Sequence, residues 1–101
     1  MKLLGDKRLG EIRDKILPVL LQVGVTQVAL FGSIVRGEEK PESDIDILVA
    51  FREPIGLFAL VGLRQELSEK LGRPADLVTE GFLSRYILPY VEQEKVNLYE
   101  E

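Results

Sequence analysis

The chain has no cysteine and no histidine. Without cysteine, disulfides and thiolate metal sites are excluded. Without histidine, the commonest general base and zinc ligand is gone, and every Ser-His-Asp arrangement with it. Catalysis, if any, must run on carboxylates, hydroxyls, lysines, arginines and a hard metal ion. Long apolar runs are missing too: none approaches the roughly 20 residues that cross a bilayer. The N-terminal Met1-Lys2-Leu3-Leu4-Gly5-Asp6-Lys7-Arg8 lacks the apolar core and small-residue cleavage site of a signal peptide. The cytoplasm is therefore the expected compartment, with no membrane partner. Basic residues are outnumbered, 13 Lys and Arg against 17 Asp and Glu, and are spread along the chain for a net charge of −4. Proteins that grip a nucleic-acid backbone usually carry a basic face. A template-reading polymerase, and nucleic-acid binding generally, is disfavoured on that ground.

What remains is enough for one domain over residues 1–101, with 46% hydrophobic residues to build a modest core. Leu9, Ile12, Ile16, Val19, Leu20 and Val23 recur at intervals of three and four and predict an amphipathic helix. Pro18 sits inside it, which predicts a kink or two short helices, and Gly24 is a suitable stop. Val25 to Phe31 is rich in β-branched and aromatic residues and predicts a buried strand ending at Gly32. Asp44 to Phe51 predicts a second strand, with Ile45, Ile47, Val49 and Phe51 on one face and Asp44, Asp46, Leu48 and Ala50 on the other. Residues 57–71 form a second amphipathic pattern closed by Gly72, and its leucines are expected in the core. Ala75 to Thr79 predicts a short third strand, Phe82 to Val91 a helix despite Pro89, and Val96 to Tyr99 a short terminal strand.

Alternating helices and strands point to an α/β domain with helices packed on one small sheet. Strand direction is open at this level. The polar stretch between the first two strands has room for a tight crossover with one helical turn. The helix between the second and third strands permits a parallel pair.

The chemistry concentrates between Leu30 and Val49. A strand runs into Gly32-Ser33, where glycine lets backbone approach a ligand closely. A helical turn opening there would aim N–H groups at a phosphate, with the Ser33 hydroxyl beside them. Arg36, one turn on, suits either a phosphate contact or a carboxylate pair. By itself Gly-Ser is an ordinary turn. Asp44 and Asp46, two apart on a strand, share one face. Side by side and half-buried, they repel each other unless something compensates. A hard divalent ion held by carboxylates and substrate phosphates would do so; a solvated strand end is the plainer alternative. Asp76 opens the third predicted strand, where Asp is uncommon. If that strand lies beside the second, Asp76 joins the pair, and three carboxylates can hold two ions about 3.5–4 Å apart for an in-line displacement. As a set, these features describe a site for triphosphate chemistry, which needs mainly positioning and charge neutralisation.

Gly32-Ser33, then ten residues, then Asp44-x-Asp46, resembles the signature of the polymerase-β-like nucleotidyltransferase superfamily. With Arg36-Gly37, Ser43-Asp44-Ile45-Asp46 and the terminal Leu98-Tyr99, the string is similar to the minimal nucleotidyltransferases of bacteria and archaea. Val35 stands where that family often has alanine, a change expected to be tolerated. The resemblance implies a small mixed β-sheet with helices packed on it, the polymerase-β-like nucleotidyltransferase fold. It implies that Gly32, Ser33 and Arg36 meet the nucleotide. Asp44 and Asp46 would coordinate two magnesium ions, and Asp76 would hold the catalytic one and help deprotonate the acceptor. It further implies AMP moved from ATP, as substrate, onto a tyrosine of a HEPN-type toxin, with this chain as antitoxin.

Two other readings stand beside it: transfer to a small aminoglycoside-like alcohol, which the missing acceptor domain argues against, and a non-catalytic antitoxin that silences its partner by binding. Glu38, Glu39, Lys40 and Glu42 read as a solvated loop. Phe82, Tyr86 and Tyr90 form an aromatic stripe expected in the core, with a partner or homo-oligomer surface as the second reading and Tyr99 placed on that side.

Overall fold

The computed structural model describes residues 7–79, 81 and 83–101. Their order is α1 (Lys7–Gln22), β1 (Val25–Phe31), α2 (Ser33–Arg36), β2 (Ile45–Phe51), α3 (Leu57–Leu71), β3 (Ala75–Thr79), α4 (Leu88–Glu94) and β4 (Val96–Glu100). The four strands form one mixed sheet in the order β3-β2-β1-β4. β1 runs antiparallel to β2 and to β4, while β2 and β3 are parallel. The segment between β1 and β2 carries one helical turn but returns antiparallel, so it is not a crossover. The β2–α3–β3 unit makes the parallel pair.

Period two divides the sheet into two unlike faces. Ile45, Ile47 and Val49 of β2 meet Ile16 and Leu20 of α1 and Leu67 of α3 in the main core. Leu48 and Ala29 point the other way, into a small cluster with Val91 of α4. One face is thus sealed by two long helices, and the other, among the described residues, by short α4 and Leu83 ahead of it. That leaves room on the second face, and Asp46 shares it with Leu48.

Several expectations need correction. α1 runs unbroken through Pro18 rather than as two helices; the apolar stripe of Leu9, Ile12, Ile16 and Leu20 buries well enough to offset one missing N–H. The last helix begins at Leu88, not at residue 82, with Pro89 in its first turn, where a proline needs no donor. The aromatic stripe does not enter the core: Tyr86 and Tyr90 are 72% and 71% exposed, and Phe82 lies outside the described residues. Tyr99 packs against the main core instead. Not all leucines of α3 are core either, because Leu57 is exposed with Phe58 and Val61 on the first turns of that helix.

Candidate functional site

β1 ends at Phe31, which pairs with Asp46 of β2. Asp46 in turn stands level with Asp76 of β3. The third strand therefore lies beside the second, and Asp46 and Asp76 face the same side of the sheet. Asp44 sits one residue before β2 begins and is exposed, while Asp46 and Asp76 are half-buried. Asp44 is thus close enough to act on Asp46 electrostatically, but it stands at the open edge of the group.

Gly32 locks the other side. Its φ of 80° and ψ of −155° belong to a backbone region essentially reserved for glycine. A Cβ there would lie 2.2 Å from Asp46 Oδ2. The turn is therefore seated directly on the Asp46 carboxylate, and only the residue without a side chain permits it. α2 starts at once: the Gly32 carbonyl accepts from Val35 N–H at 3.1 Å and Arg36 N–H at 3.3 Å. Ser33 opens this helical turn, half-buried.

Electrostatics follow from the crowding. Burial pushes the Asp46 carboxyl above its ordinary range, the charges of Asp76 and Asp44 push it further, Arg36 opposes them, and Glu94 adds to the rise. Arg36 Nη1 pairs with Glu94 Oε1 at 2.5 Å, and its Nε with Glu38 Oε1 at 3.3 Å. Arg64 Nη2 reaches Asp76 Oδ1 only at 3.9 Å, with both side chains partly open to solvent, a weak pair. The site is an excess of hard oxygen donors gathered where charging is unfavourable. Such a set suits magnesium, which takes one or two carboxylates and completes its shell with phosphate oxygens and water. Among the described residues no three acids close in tightly enough to cage an ion on their own.

The sequence motifs do not reveal three contributors. Glu94, at the end of α4, accepts the Gly32 N–H at 2.9 Å. Arg73 donates to the carbonyls of Lys40 (2.6 Å) and Ser43 (2.9 Å), clamping the loop that leads into Asp44. Glu39 is not solvated: it pairs with Arg8 of α1 and is half-buried. Sequence signals for these were slight, since each acts on a partner far along the chain.

A mixed sheet with two laterally paired aspartates beside a Gly-Ser turn suits phosphate chemistry on a hard metal ion. Residues 12–98 match the profile of the nucleotidyltransferase domain family, and the chain belongs to that family. It is 41% identical over 90 residues to a Methanocaldococcus jannaschii protein provisionally named a protein adenylyltransferase, covering 89% of this chain and 97% of that one. It is 42% identical over 73 residues to the protein adenylyltransferase MntA of Thermococcus cleftensis, covering 72% and 74%. Among solved structures, it superposes with a TM-score of 0.79 and 27% identity on a chain of a toxin–antitoxin crystallised with AMP-PNP, covering 88% of this chain and 73% of that one. The chain is a nucleotidyltransferase, with the small mixed-sheet fold of the minimal members of that class.

Proposed function

We propose that this chain transfers AMP from ATP to a hydroxyl of a partner protein and acts as the antitoxin of a toxin–antitoxin pair. The observation that carries the reading is the lateral pairing of Asp46 with Asp76, with the Gly32 turn seated on Asp46. Membership of the nucleotidyltransferase family supports the reaction class. The adenylyltransferase names of the relatives support AMP as the group moved. The AMP-PNP in the similar toxin–antitoxin structure supports an adenine nucleotide and a toxin partner. The proposed acceptor is a tyrosine of a HEPN-type toxin, as the resemblance to minimal nucleotidyltransferases implies. The proposed setting is the cytoplasm; no helix among the described residues is long and apolar enough to cross a membrane.

The roles divide by position. The Gly32–Ser33 turn and the Ser33 hydroxyl receive phosphate oxygens, with Arg36 adding positive charge nearby. Asp44, Asp46 and Asp76 would hold two magnesium ions. Magnesium, when bound, neutralises charge on the reacting phosphates. Asp76, whose pair with Arg64 is loose at 3.9 Å, accepts the proton of the incoming hydroxyl. The acceptor oxygen bonds to the α-phosphorus, the bond to the bridging oxygen breaks, and pyrophosphate leaves with its electron pair.

The test is an amide NMR titration of the chain with ATP, GTP, CTP and UTP, with and without magnesium, followed by mass spectrometry of the cognate toxin. Magnesium-dependent shifts centred on Gly32, Ser33, Asp44, Asp46 and Asp76, strongest with ATP and lost in Asp44→Asn, are expected. The toxin should gain the mass of AMP on tyrosine. Absence of triphosphate binding, alone and with the toxin present, overturns the reading. Full toxin inhibition by an Asp44→Asn, Asp46→Asn double variant would replace transfer by binding alone.

A further inference from the structure

Glu94 lies 62 positions from Gly32 in the chain and meets it in space. A single carboxylate oxygen, Oε1, accepts the Gly32 N–H at 2.9 Å and Arg36 Nη1 at 2.5 Å. Both donors belong to the turn that sits on Asp46. The contact is held from both ends. β1 ends at Phe31, immediately before Gly32, and β4 begins at Val96, two residues after Glu94. β1 and β4 pair, with Leu30 opposite Val96. Two neighbouring strands of one sheet thus deliver the amide and its acceptor to each other, with little freedom left to either.

The turn needs such a hold. Glycine adopts this backbone conformation without strain but is as free to leave it, so a contact from outside the turn has something to fix. A hydrogen bond to a charged acceptor is stronger than a neutral one. Arg36 is drawn in by the same oxygen and by Glu38, which ties its guanidinium to the end of α4.

Resting on the reading of Gly32–Ser33 as the phosphate-binding turn, we propose that Glu94 is a positioning residue for the nucleotide. Through one oxygen it holds the Gly32 amide and the Arg36 guanidinium, and so keeps the turn in its phosphate-binding shape against Asp46. It touches neither substrate nor metal. What it supplies is an acceptor oxygen at the right reach, with a charge that strengthens both bonds.

Three variants of the full chain test this: Glu94→Ala, Glu94→Gln and Glu94→Asp. Each is titrated with magnesium-ATP, and hydrogen exchange of the Gly32 amide is measured without nucleotide. Glu94→Ala is expected to weaken magnesium-ATP binding about tenfold, the scale of one lost hydrogen bond to a charged group, and to speed Gly32 exchange. Glu94→Gln keeps an acceptor oxygen but loses the charge that makes such bonds about twice as strong, and should lie between Glu94→Ala and the parent. Glu94→Asp keeps the charge but draws the oxygens back by one methylene, and should behave as Glu94→Ala does. Binding by Glu94→Ala as tight as the parent or tighter overturns the proposal, as do equal losses in the Gln and Ala variants. If Glu94→Ala does not fold, the Asp and Gln pair carries the same decision. If the parent binds no magnesium-ATP, the functional reading fails; unchanged Gly32 exchange in Glu94→Asp sinks the Glu94 proposal independently.

Discussion

Asp46 of β2 and Asp76 of β3 stand level with each other in the parallel register of the sheet. Neighbouring strands lie about 4.8 Å apart, and like charges directly across from one another are destabilising. The nucleotide-free protein therefore carries a built-in electrostatic cost at its site, the kind of local strain that a bound cation relieves.

Asp46→Asn should make the nucleotide-free protein more stable. The Asp46 carboxyl titrates above its ordinary value in the fold, chiefly through burial and then through Asp76 and Asp44. A group whose pKa rises on folding favours the folded state while protonated and loses that advantage as pH climbs through its folded pKa. At pH 7 the cost is fully present, and the amide removes it. A gain of about 0.5–1 kcal/mol is expected, discounted for partial exposure, or roughly 2–8 °C in Tm. The gain should vanish below about pH 3.8, the unfolded value. Thermal melts of both proteins from pH 3 to 8 check this, and magnesium-ATP binding should be lost in the same variant.

Gly32→Ala should fail twice. The backbone conformation is strained for any residue with a Cβ, and the added carbon meets Asp46 Oδ2 at 2.2 Å. Together these cost about 3 kcal/mol or more. Urea unfolding gives the loss. The double variant Gly32→Ala with Asp46→Gly, which opens space for the methyl group, should recover only the steric part.

Arg73→Met should loosen the approach to Asp44. The guanidinium donates to the carbonyls of Lys40 and Ser43, and Ser43 directly precedes Asp44. Loss of these bonds is expected to cost about 1–2 kcal/mol. Because Asp44 is carried on the released loop, magnesium-ATP affinity should fall as well, by a few-fold. A variant with reduced stability and unaltered affinity would show that the clamp serves the fold alone.

Leu67→Ala provides the contrast. Leu67 is fully buried in the main core, on the sheet face away from the aspartates. The cavity should cost about 2–5 kcal/mol. Nucleotide affinity per folded molecule should be unchanged when measured well below the lowered Tm, since nothing on the α4 face moves.

Much of this protein is legible in one dimension because the signals are local. Alternation in Ile45, Ile47 and Val49 against Asp46 and Leu48 assigns faces of β2 before any fold is known, and the two core clusters keep that division. Spacing of three and four in α1 does the same for Leu9, Ile12, Ile16 and Leu20. The last helix is less legible, since Pro89 suits a first turn as well as it breaks an interior, and the aromatic spacing of Tyr86 and Tyr90 carries no information about what covers them.

What the amino-acid order determines by itself is therefore the kind of chemistry and its local frame. The absence of Cys and His confines the site to hard oxygen ligands, and the Gly32-Ser33 and Asp44-x-Asp46 spacing supplies a turn and two acids on one face. Tertiary structure alone decides the rest. β3 adds parallel to β2 in the register that brings Asp76 level with Asp46, and β4 adds to β1 so that Glu94 reaches Gly32. These are choices of strand partner and register. They are set by which faces bury together over the whole domain, a global balance of packing that no single stretch of sequence contains.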